Sequence, residues 1–317
     1  MQTKKQIQQL LTSAGVWPNK RLGQHFLIDL NLMRLLIDSA NIHSNDVVLE
    51  VGCATGSLTE GLARQAGKVI AVELDRNLAE IAKRQLTEAE NVEIINADIL
   101  ESKNTISQTV TSALELACEK YSGRILLVAN LPYSVASPVM LNLVTGPVIA
   151  NGMYVTVQKE VADRMAAAPG NRDYGVLSIH LLATGEVKKM RVVKPTAFWP
   201  QPQVDSAMVS FVHQKEKSGQ IQNMSLFNET VSLFMNHRRK MLKSCIKSAP
   251  LLSCPCLRRG KLVPAKAGSK KGGKLVKIKN WPEIFEQCSI DSTQRPEQLW
   301  PQDYIAIANQ CYRLLKP

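Results

Sequence analysis

The chain has 317 residues, 45% of them apolar, which suits one large folded domain accompanied by a smaller one. No apolar run approaches the roughly 18 residues that cross a bilayer. The opening Met1-Gln2-Thr3-Lys4-Lys5 is too polar for a signal peptide, so a cytoplasmic protein with no membrane contact is expected. The net charge of +12 is local: fourteen of the 39 Lys and Arg lie between Thr230 and Pro282, where there is no Asp or Glu. Such a block indicates a polyanionic partner or, more blandly, a solvated surface segment. The seven cysteines are scattered. Only Cys254 and Cys256 are close, with no His or further Cys at zinc-finger spacing, so reduced thiols and no metal are expected.

In chain order, a polar arm gives way to apolar runs alternating with amphipathic stretches. Val47-Val48-Leu49-Glu50-Val51 reads as a buried strand, followed by a glycine-bearing turn and a helix near 58–65. Val69-Ile70-Ala71-Val72-Glu73 is a second strand, with a helix at 77–86 after it. Val92-Glu93-Ile94-Ile95 is a third, Ile125-Leu126-Leu127-Val128-Ala129 a fourth and Met153-Tyr154-Val155-Thr156-Val157 a fifth. β-Branched runs separated by helices indicate an α/β fold with a parallel sheet covered on both faces. Residues 175–193 fit helix or strand equally well. A final strand is expected at 204–212, a polar linker at 213–223, one long helix at 225–249, a loop rich in Lys and Gly at 258–279, and a helix at 296–315.

Glu50-Val51-Gly52-Cys53-Ala54-Thr55-Gly56-Ser57 is a strand, glycine turn and helix start, where backbone N–H groups can approach a ligand. Alone it reads as a tight turn. Glu73 ends the second strand about 20 residues after Gly52, where a carboxylate can accept both ribose hydroxyls of a nucleoside cofactor. Asp98 ends the third, where it can accept from an adenine amine. Either acid alone could be a helix or turn cap; together the three strand ends predict an adenosine-containing cofactor. The missing triple glycine argues against a pyrophosphate-bearing nicotinamide.

The fourth strand runs into Asn130-Leu131-Pro132-Tyr133. An exocyclic adenine amine is a poor nucleophile because its lone pair is delocalised into the ring. It needs acceptors for its two N–H bonds, so that nitrogen pyramidalises toward a methyl donor. The Asn130 side chain and the Leu131 carbonyl can supply them, Pro132 can fix the loop, and Tyr133 can stack on the base. A sulfonium donor would already carry an activated methyl, leaving alignment as the protein's task.

These residues resemble the rRNA adenine N6,N6-dimethyltransferase family, in particular its bacterial small-subunit type. Leu22-Gly23-Gln24-His25-Phe26-Leu27, the 50–59 loop, Val72-Glu73-Leu74-Asp75, Asn96-Ala97-Asp98 and Asn130-Leu131-Pro132-Tyr133 match its motifs in order. Gln158-Lys159-Glu160-Val161, Phe198-Trp199-Pro200-Gln201-Pro202-Gln203-Val204-Asp205-Ser206 and His237-Arg238-Arg239-Lys240 follow in their expected places, the last starting a basic helix. The resemblance implies a Rossmann-like class I methyltransferase domain with a seven-stranded, mostly parallel sheet over 1–213, in which 175–193 is a helix followed by a strand near Val187. It further implies a linker at 214–224 and a small α-helical, rRNA-binding domain over 225–317 with a basic insertion at 253–280.

The implied cofactor is S-adenosyl-L-methionine, held by His25, Leu27, Gly52, Glu73, Asp98 and Asn130. Asn130, Leu131, Pro132 and Tyr133 would hold the target base, with Phe198 as a second aromatic wall. Arg238, Arg239, Lys240, Lys243, Arg258 and Arg259 would contact RNA. The implied reaction places two methyl groups on each of two adjacent adenosines near the 3′ end of small-subunit rRNA, within an immature small ribosomal subunit and by a monomer. Ala54 replaces a glycine frequent in the family, and 253–280 is longer and more basic than usual. Three other readings stay open: a resistance-type large-subunit rRNA methyltransferase, a non-catalytic assembly factor, and a DNA adenine methyltransferase. The intact Asn130, Pro132, Tyr133, Glu73 and Asp98 weigh against the second, and the lack of a base-reading element against the third.

Overall fold

The computed structural model describes residues 1–19, 22–247, 256–258, 261–263 and 273–316. Two compact units emerge, one of residues 1–163 and 187–213, the other of 164–186 and 214–317.

The first unit begins with α1 (Lys4–Ser13), capped by Thr3 and anchored by the buried Ile7 and Leu11. Helix α2 (Leu30–Ala40) starts at Asp29, whose carboxylate accepts from the Asn31 and Leu32 amides. Then come β1 (Val47–Val51), α3 (Ser57–Ala63), β2 (Lys68–Glu73), α4 (Arg76–Gln85) and β3 (Val92–Asn96). Helix α5 (Gln108–Lys120), β4 (Ile125–Asn130), α6 (Ala136–Thr145), β5 (Gly152–Gln158) and α7 (Lys159–Met165) follow. After α8 (Val176–Thr184), β6 (Gly185–Val193) and β7 (Ser206–His213) complete the sheet.

The seven strands lie in the order β3-β2-β1-β4-β5-β7-β6. Strands β1 to β5 pair in parallel, and β7 runs antiparallel to β5. β1 is buried along its whole length, as expected of a central parallel strand with helices on both faces. Because β1 and β4 are neighbours whose connections leave in opposite directions across the sheet, a crevice opens at their carboxyl ends. The stretch at 175–193, ambiguous by periodicity, is a helix and then an edge strand.

The second unit contains α8, the single-turn α9 (Lys215–Ser218), α10 (Met224–Met235), α11 (Leu242–Cys245), α12 (Trp281–Gln287) and α13 (Pro301–Leu315). Its core joins Ile179 and Ala183 of α8 to Leu226, Phe227, Phe234, Phe285 and Tyr304. Residues 164–186 thus depart from the expected 1–213 domain: α8 is apolar on nearly every side and is buried among the C-terminal helices. The expected linker also carries a helical turn, α9.

One helix over 225–249 is not what forms. α10 stops at Met235, residues 236–240 make a turn, and α11 is a separate short helix. The apolar spacing persists across the break because Leu242 and Cys245 enter the same core as Phe234 and Met235. The backbone does not follow that spacing, since the amides of Leu242 and Lys243 donate to the carbonyls of Gln294 and Ser292. His237-Arg238-Arg239-Lys240 consequently occupies a turn and does not start a helix. In the basic insertion, Cys256–Arg258 pairs antiparallel with Lys261–Val263, and Lys274–Lys277 forms a helical turn. Arg259 and the Cys254-Pro255 dipeptide lie outside the described residues, as does Ala249. Among the described residues, no helix is long and apolar enough to cross a membrane.

Candidate active site

The carboxyl ends of β1, β2, β3 and β4 open into one cavity. His25, Leu27, Gly52, Glu73, Asp98, Asn130, Leu131, Pro132 and Tyr133 all line it, although they come from segments spread over a hundred residues. The sheet explains the convergence: each parallel strand delivers its last residue to the same edge.

Gly52 leaves β1 at φ +79°, and a Cβ built there would lie 2.9 Å from Pro132 Cγ. Glycine is therefore required twice, for the left-handed backbone and for the closeness of the two loops. Gly56 is also left-handed, at φ +80°. Ala54, standing where the family favours glycine, has φ +53° and so adopts the conformation that glycine tolerates best. Its amide donates to Glu73 Oε2 at 2.9 Å, while the Asp75 amide donates to Glu73 Oε1 at 2.9 Å. Glu73 is thereby fixed with lone pairs left over for hydroxyl donors. Burial raises its pKa above the usual carboxylate range, opposed by these two amides. Asp75 caps α4 and accepts from Gln24 Nε2 at 3.0 Å, tying the N-terminal motif to the segment that follows Glu73. Asp98 lies at the cavity and accepts from the Leu100 amide at 2.9 Å.

Beneath these groups is Glu50, which is buried and accepts from Thr59 Oγ1 at 2.6 Å. Burial pushes its pKa up to about 8 against the Thr59 hydrogen bond, with the nearby Glu73 charge adding to the rise. A neutral Glu50 keeps the floor of the site from carrying a second negative charge beside Glu73.

At the end of β4, Asn130 Nδ2 donates to the His25 carbonyl at 3.0 Å. That bond turns Oδ1 the other way, and Oδ1 is buried with no hydrogen-bond partner. A buried acceptor left unsatisfied is costly and calls for a function. Its chemistry fits an N–H donor such as an amine. The Leu131 amide donates to the Thr156 carbonyl at 3.0 Å, and the Pro132 carbonyl accepts from the Val135 amide at 3.2 Å, which fixes the loop after β4. Tyr133 shares a 2.9 Å hydrogen bond with Ser206 Oγ and rests against the His25 ring, centroids 5.7 Å apart. Burial raises the Tyr133 pKa, so the ring is a neutral surface and not a phenolate base. His25 Nδ1 is itself held 2.7 Å from the Pro200 carbonyl oxygen.

Phe198 is placed differently from the expectation that it forms a second aromatic wall. It is 1% exposed and packed in the core with Leu27, Met208 and Tyr154. It pairs with Leu27 in a two-residue ladder and does not line the cavity. Its neighbour Trp199 stacks on Phe26 at 6.0 Å. An aromatic residue in a motif cannot reveal whether its ring faces a ligand or a core. The motifs include Gln24 and Ser206 without giving them a role, because each role depends on a partner more than 50 residues away, Asp75 and Tyr133. Thr156 is not singled out by the sequence, and its Oγ1, like Asn130 Oδ1, is buried without a partner.

In the second unit, Arg238 donates to Glu297 at 2.9 Å and to the Arg172 carbonyl at 2.9 Å, so its guanidinium is engaged within the fold. Arg239, Lys240 and Lys243 are exposed. Arg258 sits in a short strand. Among the described residues, no cluster of His, Cys, Asp and Glu is arranged to hold a metal ion.

A cavity that offers Glu73 and Asp98 to an adenosine, beside an amide oxygen waiting for an N–H, is what a Rossmann-like amino methyltransferase requires. The chain belongs to the ribosomal RNA adenine dimethylase family, whose model matches residues 17–250. It is an enzyme that uses S-adenosylmethionine as methyl donor. Ribosomal RNA small subunit methyltransferase A of Latilactobacillus sakei subsp. sakei (strain 23K) is 37% identical over 302 residues, covering 95% of this chain and 92% of that protein. The protein of the same name from Geobacillus sp. (strain WCH70) is 33% identical over 310 residues, 97% of this chain and 96% of that one. Among solved structures, a dimethyladenosine transferase from Plasmodium falciparum shares the fold, with a TM-score of 0.68 and 22% identity over 91% of this chain and 98% of that one.

Proposed function

We propose that this chain methylates N6 of adenosine in small-subunit rRNA, carrying two adjacent adenosines near the 3′ end to N6,N6-dimethyladenosine within an immature small ribosomal subunit. The unpartnered, buried Oδ1 of Asn130 is the observation that carries this reading. S-Adenosylmethionine supplies a methyl group already activated on sulfur. Glu73 and Asp98 orient its ribose and adenine, and His25, Leu27 and Gly52 complete the pocket wall. Asn130 Oδ1 and the Leu131 carbonyl accept the two N–H bonds of the target amine before the first transfer, and one of them accepts the single N–H that remains before the second. The lone pair is thereby released from the ring and directed along the line of displacement, where it would take the methyl as the carbon–sulfur bond breaks to leave a neutral thioether, and the proton displaced from N6 would pass to solvent. Tyr133 holds the flipped base by its face.

Arg239, Lys240 and Lys243 furnish phosphate contacts, which add salt-sensitive affinity without reading sequence. The enzyme works as a monomer in the cytoplasm, where its rRNA substrate is assembled. The test is to incubate it with labelled S-adenosylmethionine and small subunits lacking the modification, with large subunits in parallel, and digest the rRNA. Dimethyladenosine in the small subunit alone is expected. Its absence with folded protein refutes the reading, and label in the large subunit redirects it.

A further inference from the structure

The N-terminal arm holds a buried polar side chain that the reaction does not use. Gln2 is 7% exposed. Its Nε2 donates to the Thr55 carbonyl at 3.0 Å, and its Oε1 accepts from Thr55 Oγ1 at 2.6 Å. Its backbone amide donates to Ser57 Oγ at 2.7 Å. Two of these bonds end on Thr55, in the loop between β1 and α3, and the third on Ser57, the first residue of α3; both residues line the cofactor cavity. That same loop contains Ala54 at φ +53°, a conformation an alanine resists. On its other side the Gly52 and Cys53 amides donate to the Val72 carbonyl and the Ala54 amide to Glu73, so that Thr55 is tied across the loop through Gln2.

We infer that Gln2 is a positioning residue for the methyl donor: its carboxamide clamps Thr55 and keeps the strained Ala54 turn in the shape that receives the cofactor. The inference rests on the cavity being the S-adenosylmethionine site. A loop that must hold an alanine in the left-handed region populates the binding shape less than one with glycine. Any such shortfall weakens apparent affinity in proportion. The Gln2 clamp restores the population, since releasing the loop would strand a carboxamide, a hydroxyl and a carbonyl in a buried setting. Helix α1 is anchored independently by Ile7 and Leu11, so its docking does not depend on Gln2.

The experiment measures S-adenosylhomocysteine binding by calorimetry, and KM and kcat for S-adenosylmethionine, in the full chain. Gln2→Ala and Thr55→Val are each expected to raise the Kd and KM on the order of tenfold, with kcat at saturating donor within about twofold. Ala54→Gly, which relieves the backbone, is expected to recover at least about threefold of that loss in the Gln2→Ala background. An unchanged KM in folded Gln2→Ala overturns the inference, and so does a double variant with no recovery. If Gln2→Ala does not fold, the nearly isosteric Thr55→Val decides by the same criterion. A wild-type chain that fails to bind S-adenosylhomocysteine overturns the site reading beneath it, whereas binding that ignores Gln2 overturns this inference alone.

Discussion

Replacing Asn130 by Ala removes two things that the structure separates. The first is Oδ1, buried and unpartnered in the structure and proposed above to accept from the substrate amine. Because that bond forms only with the reacting group, its loss resembles removal of one preorganised catalytic hydrogen-bond partner, about 3 to 4 kcal/mol or a 10²- to 10³-fold drop in kcat. The second is the Nδ2 donor to the His25 carbonyl at 3.0 Å, worth about 1 kcal/mol of stability. In a protein of this size that is a fall of a few degrees in Tm, roughly 2 to 4 °C. Single-turnover methylation at saturating RNA and labelled donor reads the first loss, and scanning calorimetry the second. Asn130→Asp refines the test, because a carboxylate oxygen would face the His25 carbonyl oxygen where Nδ2 now donates; it should be no faster than the alanine variant. A folded Asn130→Ala enzyme whose rate lies within about threefold of wild type would refute the assignment of Oδ1 as the amine acceptor.

Gly52→Ala should cost about 1 to 3 kcal/mol by denaturant unfolding and displace Pro132, since its Cβ would lie 2.9 Å from Pro132 Cγ. Gly170→Ala is the control, equally left-handed at φ +84° but with nothing within 4 Å, and should lose less and leave activity intact. Glu50 has a folded pKa of about 8 against an ordinary 4.5, so its contribution to stability is full below the ordinary value and is lost as pH rises through the folded one. The Tm should therefore decline between pH 5 and 9, and Glu50→Gln, which preserves a neutral acceptor for Thr59, should flatten that decline; an unaltered slope would contradict the assignment. Replacing Arg239, Lys240 and Lys243 together by Ala should weaken rRNA binding and reduce the magnitude of the log K against log salt slope by about 2 to 3. A filter-binding titration over several salt concentrations checks this, and an unchanged slope would remove the turn from the RNA-contacting surface.

The parallel strands are readable because β1 to β4 are short apolar runs rich in β-branched residues and closed by glycine, acid or asparagine, and a parallel topology carries such ends to one edge. The same logic brings Glu73, Asp98 and Asn130 to that edge, and all three line one cavity. The long helix at 225–249 was not what formed, because apolar spacing reports burial and not continuity. Phe234 and Leu242 share a core while the chain between them turns. Phe198 carried no local sign of direction. Gln2 was hidden more deeply still: in sequence it is one polar residue in a polar arm, and only its three contacts more than 50 residues away make it buried.

The bonds that orient Asn130 and His25 close very large loops. Asn130 reaches back 105 residues to the His25 carbonyl, and His25 reaches forward 175 residues to Pro200. Loop-closure entropy opposes such contacts until most of the sheet is in place. In refolding, helical signal should therefore return ahead of catalytic competence, and a partly folded chain should hold recognisable secondary structure without a working centre. Methyl transfer then reports on completion of the first unit as a whole, which makes the enzyme's own activity a stringent probe of its folding.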